Sequence, residues 1–116
     1  MSPKARPPNF AAFWKSLREG LKSLVESSWR DYRDAALKDG DAFFRKTRED
    51  LERWAALLLR GQLTAEEVEW LVRGKKDLAT LTALEQAGLA LAARDRFRDG
   101  LLDLLGRSLQ NLLRTP

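Results

Sequence analysis

The sequence predicts an all-α fold: a helical bundle of four to five helices ending in a long C-terminal amphipathic helix. Three observations predict it. Apolar residues recur at steps of three and four along most of the chain, as they do on one face of a helix. The period-two alternation of a half-buried strand is missing, β-branched residues are scarce, and no two-residue hairpin signal separates apolar runs. Recognisable helix-start and helix-stop residues cut the pattern into segments.

With 116 residues the chain is expected to form one domain, long enough to bury a core without disulfides or a structural metal. Residues 1–8, MSPKARPP, read as a disordered basic and proline-rich leader with no apolar core of a secretory signal, and the single helical domain is expected over residues 9–116. Asn9 can cap a first helix over residues 10–37, about 40 Å long, with Phe10, Phe13, Trp14, Leu17, Leu21, Leu24, Val25, Tyr32 and Ala35 on one face. KDGD at 38–41 then supplies a glycine stop and, at Asp41, a cap for a second helix over 42–60. That helix carries Phe43, Phe44, Thr47, Leu51, Trp54, Ala55 and Leu58 as its stripe.

In GQLTAEEVEWLVRGKKD, residues 61–77, Gly61 ends one helix, Thr64 caps the next, and Glu67 stands three residues on, completing a capping box. The third helix therefore spans residues 65–73, with Val68, Leu71 and Val72 inward, and Gly74 breaks it. From residue 77 to 113 no proline intervenes. A single helix over 77–113 runs about 55 Å, so it must bend, near Gly88 or Gly100, or project beyond its partners. The band RDRFRD at 94–99 is too charged for a bundle centre and marks a passage from one apolar environment to another.

Composition narrows the chemistry. Cysteine and histidine are both absent, which excludes thiolate and imidazole metal sites, cysteine nucleophiles and histidine general bases. Glu66, Glu67 and Glu69 form an acidic cluster, but the di-iron bundle pattern needs a histidine three residues after a glutamate, so these acids are read as complementing a helix N-terminus. Asp39 and Asp41 flank a glycine without the ligand spacing of a calcium loop, and GKK at 74–76 lacks the upstream glycine and following hydroxyl of a phosphate loop. Ser27 and Ser28 have no candidate base. The chain is expected to be no enzyme and to need no metal or cofactor.

The middle of the chain, EDLERWAALLLRGQLTAEEVEWLVRGKKDLATLTALEQAGLA at 49–90, resembles a pattern recurring in small, uncharacterised helical proteins of bacteria. The resemblance covers about a third of the chain; it implies a bacterial, cytoplasmic helical protein and brings no activity with it. The most apolar run, LATLTALEQAGLALAA at 78–93, is interrupted by Glu85 and Gln86 and is shorter than the roughly 20 residues of a membrane span.

The 21 basic and 17 acidic residues are interleaved, giving a net +4 without the clustering that phosphate binding favours. Trp14 and Trp54 sit inside apolar stripes, whereas Trp29 lies at a stripe's edge and Trp70 opposite Val68 and Leu71, which makes Trp29 and Trp70 the surface contact residues. A helix-turn-helix at 63–88 founders because Leu78, Leu81, Leu84 and Leu89 stand where base-reading side chains belong. Nucleic-acid binding is the weakest alternative.

The tail is the remaining feature. In helical projection Phe97, Leu101, Leu102, Leu104, Leu105, Leu109, Leu112 and Leu113 fill about half the circumference, opposite Arg96, Asp103, Arg107, Gln110 and Arg114. Covering that face is worth on the order of 10 kcal/mol before ordering costs. Three covers compete, the chain's own helices, a second copy or a lipid surface, with a helical groove on a different protein as a lesser one. The reading adopted is a helical scaffold or interaction protein that self-associates as a homo-oligomer through Phe97, Leu101, Leu105, Leu109 and Leu112. The alternative is a peripheral membrane-binding module using the same face.

Overall fold

A computed structural model of the chain describes residues 10–114. The expected leader at 1–8, the Asn9 cap and the last two residues lie outside the described residues. Among these residues there is no strand, and six α-helices with three 3₁₀ turns form an all-α bundle measuring 56 × 23 × 20 Å. The helices outnumber the four to five expected because three of the expected segments, 10–37, 42–60 and 77–113, are divided, while the break expected at 38–41 is absent.

Helix α1 spans Phe10–Ser28 and buries Phe13, Leu17, Leu21 and Val25, a four-residue recurrence that draws one stripe along it. It stops nine residues short of the expected end. The Ser27 hydroxyl donates to the Leu24 carbonyl, competing locally with the helix, and the backbone leaves helical geometry at Trp29, whose ring packs edge-on against Phe97 at 5.6 Å. A 3₁₀ turn, Arg30–Tyr32, then leads into α2, Arg33–Lys46.

Helix α2 runs straight through the KDGD stretch where a break was expected. Gly40 is buried against α1, and a Cβ there would lie 2.6 Å from Leu21 Cδ1, so this glycine serves close helix approach and not a turn. The bend comes at Thr47, which separates α2 from α3, Arg48–Leu59. Its buried hydroxyl donates to the carbonyls of Phe43 and Phe44, the back-bonding that bends helices, while Leu51 N–H still reaches the Thr47 carbonyl. Asp41 pairs with Arg45 at 2.6 Å and caps nothing.

Gly61 sits at φ +74° and closes α3 with paired bonds, Gly61 N–H to Leu58 and Gln62 N–H to Leu57, the motif of a left-handed C-terminal cap. Helix α4, Ala65–Arg73, has the expected bounds, because Thr64 Oγ1 accepts from Glu67 N–H and Glu67 Oε1 accepts from Thr64 N–H.

The expected final helix is broken. After a 3₁₀ turn, Lys76–Leu78, comes Leu81 in the left-handed region at φ +54°, then the one-turn α5, Thr82–Gln86, and Gly88 at φ +93°. Leu81 and Leu84 point into the core. Asp39, on α2, caps α5 from 44 residues away: Oδ1 accepts Ala83 N–H at 3.0 Å and Oδ2 accepts Leu84 N–H at 2.7 Å. Helix α6, Leu91–Asn111, then runs antiparallel to α1, with Leu104 over Gly20 and Leu24 over Gly100, and passes into a last 3₁₀ turn, Leu112–Arg114. Gly100 therefore stays inside the helix, and the final bend expected near Gly88 or Gly100 falls before α6, at Gly88.

Candidate functional site

Helix α6 packs against α1 on one side and α4 on the other, and that placement decides what its leucine face does. Phe97, Leu101, Leu105 and Leu109 are fully buried within this one chain, and Leu112 is half-buried against the same core. The anchors expected for a second copy are thus core residues, covered by the chain's own helices. The same burial takes this face away from a lipid surface. The driving force computed for the tail acts within the fold because α1 offers Gly20 and Leu24 to Leu104 and Gly100, so the two helices approach closely.

The charged band at 94–99 fastens α6 to the segment before it. Arg98 Nε donates to the Ala79 carbonyl at 3.1 Å and its Nη1 meets Asp95 at 2.7 Å, while Arg94 reaches Glu85 at 3.4 Å. This band borders α5 rather than an exit into another environment.

The tryptophans divide sharply. Trp54 is buried, Trp14 donates its Nε1–H to Glu52 at 2.9 Å beneath the Arg48 guanidinium, and Trp29 is half-buried on Phe97. Trp29 is therefore a packing residue and not the free contact expected of it. Trp70 is 83% exposed.

Around Trp70 lies an open hollow of about 510 Å³ lined by Leu63, Glu66, Glu67, Trp70 and Leu71. Helix α4 builds it. Val68 and Val72, four residues apart, face the core, which turns Trp70 outward and leaves Leu71 on the shoulder at 37% exposure, not inward as its spacing suggested. The capping box fixes the N-terminal turn, and Gln110 Nε2 reaches the Ala65 carbonyl from α6 at 3.5 Å, so the Trp70 backbone rides on a braced element. Glu66 and Glu67 give the rim a negative charge beside the positive end of the α4 dipole.

No family model, curated protein or solved structure matches this chain. What the site does therefore has to come from its own chemistry.

Elsewhere several charged groups pair with one another. The hollow between α4 and α6 is lined by Arg73 and Asp103, which bond at 3.3 Å, with Glu69 at 3.8 Å from the same guanidinium. The Lys75 ammonium beside Asp50 holds that carboxyl below the usual carboxylate range, with Arg53 adding to the effect and partial burial opposing it. Lys75 also lies 5.8 Å from the Trp54 ring centre, so this cluster ties the loop after α4 to α3. Among the described residues, no three acidic side chains converge as metal ligands, and no helix is long and apolar enough to cross a membrane.

The long-range cap at Asp39 had no signal in the sequence, where Asp39 reads as part of a turn. Trp70 did have one: its position on the face opposite Val68.

Proposed function

We propose that the chain is a non-enzymatic helical interaction protein that grips another protein surface through the outer face of α4, with Trp70 as the anchor. We place this role in the bacterial cytoplasm, on the resemblance of residues 49–90 and the absence of cysteine. The exposure of Trp70 carries the reading. Covering a large aromatic side chain is worth about 1.5–3 kcal/mol, and the other three tryptophans are all buried or engaged by packing or hydrogen bonding. Tryptophan on a rigid element beside an apolar hollow is the residue type that dominates the energy of protein interfaces. The carboxylates of Glu66, Glu67 and Glu69 around it repel phosphate, which disfavours nucleic acid as the occupant.

A photo-crosslinking residue placed at position 70 tests this in the cells the chain comes from, with position 18 on the exposed face of α1 as control. Protein adducts from position 70 and none from position 18 are expected. Absence of adducts at position 70 overturns the reading.

A further inference from the structure

The geometry points to a latch in the fold: residues 76–88 form a strap across the cleft between α2 and α6 that opens and closes while the rest of the bundle stays folded. The strap is separate from the Trp70 face and does not depend on the role proposed for it. It is fastened along both edges of the cleft. On α2, Lys46 Nζ donates to the Leu78 carbonyl at 3.5 Å, and the Asp39 carboxylate accepts the Ala83 and Leu84 N–H groups. On α6, Arg98 Nε donates to the Ala79 carbonyl and Arg94 reaches Glu85. Both helices therefore run antiparallel to the strap, and Ala79, Leu81 and Leu84 are buried between them. Asp39, Phe43 and Lys46 share one face of α2, so the buried Phe43 lies beneath the strap.

Several properties make the strap separable. Its own helix, α5, has a single turn and does not hold itself without outside partners. The closed state carries costs that opening removes: Leu81 sits at φ +54°, disfavoured for a residue with a Cβ, and Arg94 Nε is buried with no hydrogen-bond partner. Release lets the Leu81 backbone relax and brings Arg94 Nε to water. The neighbouring elements survive it because their fastenings lie elsewhere. Lys75 is paired with Asp50 just before the strap, Gly40 seats α2 on α1, and α6 packs on α1 and α4. Gly88, at φ +93°, is the pivot beside α6. Burial of Leu81 and Leu84 and the polar fastenings oppose release and keep the closed form dominant. Opening bares Leu81, Leu84 and Phe43, a second apolar surface that the closed fold conceals.

Hydrogen exchange of the full chain, read by NMR in sub-denaturing urea, tests this. The amides of Leu84, Glu85 and Ala87 are expected to share one protection factor, at least about tenfold below that of Leu105 on α6, and to respond little to urea because the opening uncovers little surface. Protection equal to that of Leu105, with the same steep urea dependence, overturns the latch, since the strap then opens only with the whole bundle. Unequal protection at the three sites overturns the strap as a single unit. Because the chain contains no cysteine, Leu84→Cys and Leu105→Cys each supply one thiol. Towards dithionitrobenzoate under native conditions, Leu84→Cys is expected to react at least about tenfold faster than Leu105→Cys, and equal rates overturn the opening. Adding Asp39→Ala is expected to raise the reactivity of Leu84→Cys by at least about tenfold again, and Arg98→Ala to raise it by less, with circular dichroism showing that helical content is retained. Reactivity unchanged by both variants overturns the fastening.

Discussion

Replacing Asp39 with alanine is expected to destabilise the fold by about 3 kcal/mol, although Asp39 belongs to the middle of α2 and touches nothing catalytic. The magnitude comes from two bonds. Each carboxylate oxygen accepts one amide N–H at the start of α5, from Ala83 and Leu84, and hydrogen bonds to a charged group contribute roughly 1.5–3 kcal/mol net. A helix of five residues cannot hold itself, since nucleation outweighs the one or two bonds it closes, and its N-cap position is Leu81, whose side chain offers no acceptor. Leu81 also sits in the left-handed region, which costs a non-glycine residue roughly 1–2 kcal/mol, so the segment is already held against local preference. Asp39→Asn keeps one acceptor but turns an amide NH2 towards the second N–H, and is expected to lose about half as much as alanine. Urea unfolding at neutral pH gives the loss, and amide exchange at Ala83 and Leu84 locates it. A change below about 0.5 kcal/mol for Asp39→Ala, with exchange at both amides unaltered, refutes the cap as the element holding α5.

Leu105→Ala is expected to cost about 2–5 kcal/mol in the same urea assay, since the side chain is fully buried; a near-neutral result would return it to the surface role its sequence pattern suggests. Two helical glycines should behave oppositely: Gly106→Ala, with nothing within 4 Å of the new Cβ, is expected to gain about 0.5–1 kcal/mol, whereas Gly40→Ala must displace Leu21 and is expected to lose stability, both read as shifts in thermal midpoint. Asp50 has its folded pKa lowered, so its pairing with Lys75 stabilises the fold above the ordinary carboxylate range and is lost as pH falls below about 4. Asp50→Asn is therefore expected to be less stable than wild type at pH 7 and to close that gap at pH 2–3, which midpoints measured across that range would check.

The parts of the fold legible in the sequence are those whose causes are local. Thr64 and Glu67 lie three residues apart and satisfy each other's backbone groups, so the start of α4 can be read without knowing what α4 packs against. Gly61 is equally local, because only its own φ matters. Gly40 looks the same in sequence and behaves differently: its reason is the side chain of Leu21 on another helix, and no window of sequence contains both. Asp39 and Leu81 share that difficulty, each taking its partner or its place in the core from an element folded against it.

The amphipathic tail shows the same limit at the level of function. Periodicity establishes that the face of Phe97, Leu101, Leu105 and Leu109 must be covered, but the coverer is chosen by shape, through Leu104 over Gly20 and Leu24 over Gly100. A stripe that wide is the most conspicuous apolar feature of the sequence and, once folded, the least available. Trp70 inverts the relation. Its own contribution to any stripe is nil, and its place opposite Val68, legible in the sequence, becomes exposure when Val68 and Val72 claim the inner face of α4. An apolar residue that the core had room to exclude, on a helix braced by its own cap and by α6, carries more information about partners than Phe97, Leu101, Leu102, Leu105 and Leu109, which the core took in.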